Sequence, residues 1–501
     1  MKKKRVLILL VTMVAVAVMS PPAMAKQFIV GGKTLNLFGY VTQGAAFSLH
    51  NKDYYDTERD IHAALMNLFL EFDYTFTDNL KLYAASMLTV DWIYELKHDD
   101  KSWTDKKFFK SRDELFVDDE YWQLLKEIHL SWTPGNCYFR VGKQIVSWGE
   151  MIGFRLMDQI NPLDTRRGMA DVEFETTIIP IWLIRAEYYP QITTGWLQDV
   201  GLEFIFNPNA DFIPNQMLMG NDEAGIWSPN IVAPLGPGRE AYIGSSNMNI
   251  KEPQEWDDEG YEYAFRIKSV VKDAIITLNY FYGRDNAPVM RPDMTALPRF
   301  EVAPDSNRIL HSTMEGRYPL FRFAGATFSR DLPFMRSSAL GDVAPLILLE
   351  TFYAFDNTFA TSLNTFKKLD ELRWALGIDW KVRIDLLNPR TYFMISPQFY
   401  HQKILNYPHD YEIANLEDDN YTTTLMINTS YFHNKLVPSF FWMHDLNNKA
   451  DMFRLQLVYD YSYKWHFTLG TVLLDGREKN KGFDVFENKD YLYFKISYKW
   501  G

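Results

Sequence analysis

The sequence predicts an all-β chain closed into a transmembrane antiparallel β-barrel of roughly eighteen strands, and three observations carry that prediction. Segments of about ten residues alternate apolar and polar side chains, again and again along the chain. Aromatic residues make up 16% of the 501 residues, with 36 Phe, 29 Tyr and 14 Trp, yet the mean hydropathy is only -0.24. A barrel reconciles these two values, because lipid-facing apolar residues alternate with polar lumen residues and aromatic girdles mark both interfaces. Finally, the connections between segments tend to alternate short and long, as barrel turns and loops do.

The N-terminus reads as an export signal. Lys2, Lys3, Lys4 and Arg5 are positive, Val6 to Met19 is apolar, and Ala23-Met24-Ala25 has the small-residue pattern of a cleavage site. Residues 1–25 are therefore expected to be a signal peptide, leaving Lys26 first and residues 26–501 as a single barrel in the outer membrane of a Gram-negative cell. The apolar run is too short for a spanning helix, and a first residue other than Cys indicates no lipid anchor. Cys137, the single cysteine, forms no intrachain disulfide. A net charge of -12 and a pI near 5.4 argue against nucleic acid as a partner, which needs a basic face.

The strands follow in order. Met66, Leu68, Leu70, Phe72 and Tyr74 alternate with Asn67, Phe69, Glu71 and Asp73, and after a turn at Thr77-Asp78-Asn79 the pattern resumes from Leu80 to Asp91. Ile128, Leu130 and Trp132 oppose Glu127, His129 and Ser131, and Pro134-Gly135-Asn136 turns the chain into a strand carrying Arg140 and Gln144 on one face. Trp182, Ile184, Ala186 and Tyr188 oppose Arg185 and Glu187; Tyr263, Phe265 and Ile267 oppose Glu262, Arg266 and Lys268. The strictest stripe runs from Glu371 to Arg383, with Leu372, Trp374, Leu376, Ile378, Trp380 and Val382 in one phase. The chain ends on Leu492, Phe494, Ile496, Tyr498 and Trp500, an aromatic amphipathic strand similar to the terminal assembly signal of outer-membrane barrels. If weaker candidates fail, the count falls to about sixteen or fourteen.

Residues 76–79, 134–136, 271–273, 385–389 and 433–436 are expected to be periplasmic turns, and 94–124, 149–177, 207–259, 285–317 and 405–419 extracellular loops. The connection at 329–345 is too long for that scheme and puts the local count in question.

A barrel of this size encloses a water-filled lumen, so passage of small or amphipathic molecules is the expected function. The lumen phase carries Lys81, Arg140, Arg185, Arg266, Lys268, Arg322, Arg373, Lys381, Arg383, Arg454 and Lys495 against Glu71, Asp73, Asp91, Glu127, Glu187, Glu203, Glu262, Glu350, Glu371, Asp379 and Asp460. Neither sign dominates, and facing charges can pair across strands. Phe69, Tyr83, Ile205 and Phe281 in the same phase leave room for an amphipathic cargo.

The string Arg140-Val141-Gly142-Lys143-Gln144-Ile145-Val146-Ser147-Trp148-Gly149-Glu150, followed by Ile160-Asn161-Pro162-Leu163-Asp164, resembles the signature of a family of proteobacterial outer-membrane barrels of unknown function, similar in outline to alginate-export and phosphate-selective porins. The resemblance implies a monomeric or trimeric pore-forming barrel, moving hydrophobic compounds or serving an exporter, with no catalytic residues. About thirty residues without a steady period, at 149–177, are expected to fold inward as a constriction loop, with Trp148 in the outer girdle and Gly149 letting the chain turn. Glu150, Arg155, Asp158, Asp164, Arg166 and Arg167 either line that constriction or pair with one another to hold the loop down. Lys143 would then point to lipid, which costs about 2–4 kcal/mol at the midplane unless a bulge at Gly142 or a rim position relieves it.

No nucleotide, zinc-protease, serine-hydrolase or haem motif is present, and no cofactor or metal is expected. Asp118-Asp119-Glu120, Asp257-Asp258-Glu259 and Glu417-Asp418-Asp419 could bridge calcium or lipopolysaccharide, but they lack the spacing of a calcium loop and read as solvated. Besides a channel in contact with outer-membrane lipid and lipopolysaccharide, the sequence leaves open an export or electron-transfer assembly docked to a periplasmic or exporter partner, and a barrel enzyme using His129, Ser131 and Asp91.

Overall fold

The computed structural model describes residues 26–50, 60–100, 112–164, 166–167, 177–192, 194–210, 229, 231–236, 239–254, 256–302, 308–413, 416–486 and 489–500. The expected signal peptide and parts of the expected constriction loop, residue 165 and residues 168–176, lie outside them.

Eighteen strands form a closed antiparallel barrel. They are β1 (Lys33–Ser48), β2 (Leu65–Thr77), β3 (Leu80–Asp91), β4 (Glu127–Trp132), β5 (Cys137–Gln144) and β6 (Ile181–Tyr188). Next come β7 (Leu197–Asn207), β8 (Glu262–Val271), β9 (Ala274–Arg284), β10 (Leu320–Asp331), β11 (Leu346–Ala360) and β12 (Phe366–Ile384). The last are β13 (Asn388–Ile404), β14 (Asp419–Asn428), β15 (Leu436–Asp445), β16 (Ala450–Asp460), β17 (Trp465–Asp475) and β18 (Tyr491–Trp500). Each pairs with its sequence neighbour, and β18 closes on β1 from Gly39↔Trp500 to Ser48↔Tyr491. Closure leaves no wall strand edge, which a sheet in lipid requires.

The register puts one phase of each strand outward. Leu130, Trp132, Trp182, Leu202, Phe265, Ile267, Leu278, Leu455, Leu469 and Phe494 are exposed large apolar residues on that face, the belt that the alternation predicts.

Wall height varies around the barrel. β4, β5 and β6 have 6, 8 and 8 residues, whereas β11, β12 and β13 have 15, 19 and 17. Over the tall side the long-loop end carries only a tight connection at 361–365, and 446–449 is equally short, so the predicted alternation of connections fails there. At 361–365 the longer strands β11 and β12 extend the wall itself, whereas β15 and β16, of 10 and 11 residues, do not share that reason. The connection after β10 joins adjacent strands without adding or removing one, which settles the count there. Its extra length forms two 3₁₀ turns, Pro333–Met335 and Ser338–Leu340, that brace the wall: Trp380 Nε1 donates to the Val343 carbonyl at 3.2 Å and Tyr392 OH to that of Gly341 at 3.2 Å.

At the long-loop end, two of the expected loops build a second sheet from Val232–Gly236, Arg239–Lys251, Val289–Pro292, Arg299–Val302 and Arg308–Arg317. Its central pair, Arg239–Lys251 with Arg308–Arg317, is parallel. Short strands split between distant segments leave no long period for a sequence to display.

Candidate functional site

Beyond Gln144 the chain leaves the low wall and enters the lumen. Val146, Trp148, Leu156, Met157 and Ile160 are buried against Ile181 and Leu183 of β6, Ile205 of β7, Ala264 of β8, Phe281 of β9, Phe321 and Phe323 of β10, Phe352 of β11, Ala375 of β12 and Tyr400 of β13. Burying each such loop side chain stabilises the docked state by about 1.5–3 kcal/mol. The apolar lumen positions Ile205 and Phe281 are therefore filled by the loop. Trp148 is 1% exposed in this cluster, which corrects its expected place in the outer girdle. Once the chain turned inward at residue 145, an indole three residues on belonged to the lumen.

Polar contacts tie the loop backbone down in order. Asp158 Oδ1 accepts from the N–H of Trp148 at 2.5 Å and Gly149 at 2.9 Å, and from Ser147 Oγ at 3.1 Å. Glu350 of β11 then takes over, its Oε1 accepting from the N–H of Glu150 at 2.5 Å and Met151 at 3.1 Å. Gln398 Oε1 of β13 accepts from Ile152 N at 3.1 Å, and Tyr400 OH donates to the Ile152 carbonyl at 3.0 Å. Gly153 has φ +89°, and a Cβ there would lie 2.7 Å from the ring of Phe441 on β15, so only glycine fits the tip. The loop thus runs from β5 to β15 across the lumen.

Asn161 closes the base. Its Oδ1 accepts from Val146 N at 2.8 Å, while its Nδ2 donates to the carbonyls of Gln144 at 3.1 Å and Ile179 at 3.0 Å. One side chain joins the outgoing and returning arms. Pro162, with no N–H, spends only its carbonyl, which accepts from Ile179 N at 2.9 Å.

The remaining predicted residues divide into separate groups. Gln144 is fully buried beneath the loop and donates to the Leu183 carbonyl at 3.2 Å. Arg155 Nη1 donates to the Asn161 carbonyl at 3.4 Å, and burial pushes its guanidinium below the ordinary value. Asp164, Arg166 and Arg167 join Asp118 in a buried ion cluster between two long loops. Arg166 reaches Asp118 at 2.6 Å and Asp164 at 3.1 Å and lies over the Trp122 ring at 4.4 Å; Arg167 lies 3.5 Å from Asp118. Burial pushes the Asp164 carboxyl up, but the adjacent Arg166 and Arg167 outweigh it and hold it below the ordinary value. Asp118 is fully buried, so the solvated reading of its acidic run is corrected at that position.

Lower in the lumen, Arg140 Nε donates to Tyr138 OH at 2.6 Å, and Arg266 sits beneath Trp148, donating to its carbonyl at 3.4 Å. Lys268 projects into a cavity of about 920 Å³ with Arg185, Glu187, Glu203 and Arg266. Arg373 pairs with Glu371 and lies over Phe352, Asp379 accepts from Ser396 Oγ at 2.5 Å, Arg454 donates to Tyr493 OH at 3.4 Å, and Lys381 is exposed. These residues ring the lumen without converging on one point. His129 and Ser131 approach at 3.4 Å, but Asp91 binds the N–H groups of Ala64 and Ile93 at the other end of β3, so the three enzyme candidates form no triad.

Lys143 stands one residue from the end of β5, at the rim of the low wall, which is one of the two expected remedies; the other is absent. The register of β4 with β5 is unbroken, so no bulge intervenes, although a Cβ at Gly142 (φ +134°) would collide with the Ile128 carbonyl. The short helix Tyr121–Leu124 lies over Lys143, whose Nζ donates to the carbonyls of Leu125 at 2.7 Å and Trp122 at 3.3 Å. The ammonium is wrapped by backbone oxygens and meets no lipid.

Residues 6–500 match the family described as "Protein of unknown function (DUF1302)". The chain belongs to the DUF1302 family. Comparison with curated proteins returns no match. Among solved structures, this DUF1302 member is similar to OpdK (OccK1) of Pseudomonas aeruginosa, crystallised with vanillate, at 8% identity and TM-score 0.47, covering 93% of this chain and 98% of that one. It is also similar to OccD3 (OpdP) of the same organism, at 9% identity and TM-score 0.46 over 96% and 95%, and to the outer-membrane protein OmpT of Vibrio cholerae, at 9% identity and TM-score 0.40 over 95% and 100%.

Proposed function

We propose that the protein is an outer-membrane channel for small polar solutes, with the segment from Ile145 to Asp164 as its constriction. The carrying observation is the tethered crossing of that segment from β5 to β15, held by Asp158, Glu350 and Gln398. A barrel of about eighteen strands leaves an aqueous lumen unless something fills it, and here the loop covers the β6–β13 side. Solutes pass along the remaining polar wall and the charged chambers at the short-turn end, which faces the periplasm. The long-loop end then meets lipopolysaccharide. A ring of backbone amides bound to fixed acceptors suits a permanent restriction better than a plug that leaves with each transport cycle.

Planar-bilayer recording of the purified chain tests this reading. Discrete conductance steps are expected; a bilayer that stays silent although the folded chain has inserted would overturn it.

A further inference from the structure

The sequence offers lumen charges of both signs in equal measure, but the structure uses them unequally. The carboxylates hold scaffold. Glu350 and Asp158 bind loop amides, Asp73 accepts from Asn36 Nδ2 at 2.6 Å, and Glu371 accepts from Asn357 Nδ2 at 2.8 Å and Gln402 Nε2 at 2.7 Å. Among the described residues, Lys81, Arg140, Lys268, Lys381 and Arg454 have no carboxylate within ion-pairing distance. These five cations face the lumen without a counter-charge at contact distance.

A cavity of about 920 Å³, lined by Arg266 beneath Trp148, brings two of the lumen cations together. Of its three carboxylates, Glu187 and Glu203 are both engaged by Arg185, at 2.8 and 2.9 Å, and Asp199 lines the cavity without an ion pair among the described residues. Arg266 and Lys268 stand two residues apart on β8, on the same face. Lys268 is exposed to the cavity, and Arg266 lines it beside Lys268. Tyr189, packed over Gly201, and Ile192 add apolar surface. The volume falls within the range of about 300–1,000 Å³ that holds a small molecule. A guanidinium beside a free ammonium suits a carboxylate, which can accept from the terminal N–H groups of the one and from the other.

We propose that this chamber binds small organic carboxylates with a short apolar body, through Lys268 and Arg266, and so makes the pore anion-preferring. The proposal names the solute class of the channel reading and rests on it.

The test records wild type, Lys268→Gln, Lys268→Glu and Lys272→Gln in bilayers under a KCl gradient, with hexanoate or hexylamine added. Lys272 lies in the turn after β8 and serves as a charge-matched control. Wild type and Lys272→Gln should prefer chloride, and Lys268→Glu should reverse that preference. Hexanoate should block the current, and losing one charge-assisted contact should weaken the block about tenfold in Lys268→Gln. A cation-preferring wild type, an unaltered Lys268→Glu, or equal block by hexylamine overturns the assignment. If no variant conducts, the channel reading fails, and equilibrium dialysis of hexanoate against the detergent-solubilised chain decides the site separately. Binding that weakens in Lys268→Gln supports it; absence of binding to the wild type overturns it.

Discussion

Glu350 holds the constriction from the wall side with one carboxylate oxygen and two loop amides. Replacing it by Ala leaves two N–H groups without their acceptor inside the barrel, at about 1–3 kcal/mol each. Glu350→Ala is therefore expected to raise open-channel noise and to speed hydrogen exchange at residues 150 and 151; exchange as slow as in the wild type would contradict the tether. Gly153→Val should fail more severely, because it adds a clash with Phe441 to a backbone conformation that valine rarely adopts. Lower yield of heat-resistant folded barrel would report it. The sequence displayed Glu350 as one lumen-phase charge among many. Alternation reveals which face a residue takes, but the loop atom it meets is two hundred positions away in sequence, and periodicity carries no such pairing. Asn161 was legible only as turn chemistry, for the same reason: its three partners lie on both arms of the loop.

Two long loops are joined at the element scale by the cluster of Asp118, Asp164, Arg166 and Arg167. Removing one partner from a buried ion cluster costs about 3–5 kcal/mol, because the remaining charge keeps its desolvation penalty. Asp164→Asn should therefore expose residues 112–126 to protease at concentrations that leave the wild type intact, and equal resistance would contradict a joining role. The pH dependence follows from the lowered Asp164 carboxyl. Its contribution is fully present above the unfolded value and is lost as pH falls through the folded one, so the loops should resist protease at neutral pH and open only below about pH 4. Sequence reasoning expected these charges to line the constriction or pair with one another. It had no means to bring Asp118 to them, since an acidic run before a helix looks the same whether solvent or arginine neutralises it.

The whole barrel was the most legible feature, because lipid outside and water inside impose a period of two that every strand must repeat. Glu371 to Arg383 lies within the longest wall strand, and the terminal aromatic stripe closes the ring against β1. Wall height was not legible: nothing local distinguishes the low β4–β6 side from the tall β11–β13 side, yet that slope gives the loop its entrance and its opposite anchor. The Val146 N–H bonds to Asn161, so the ends of residues 147–160 lie close together and a short Gly-Ser bridge can replace them without opening the wall. Single-channel conductance of that bridged chain against the intact one tests the constriction most directly. A severalfold larger conductance, with the same folded barrel, is predicted; equal conductance would mean that the loop does not limit the pore.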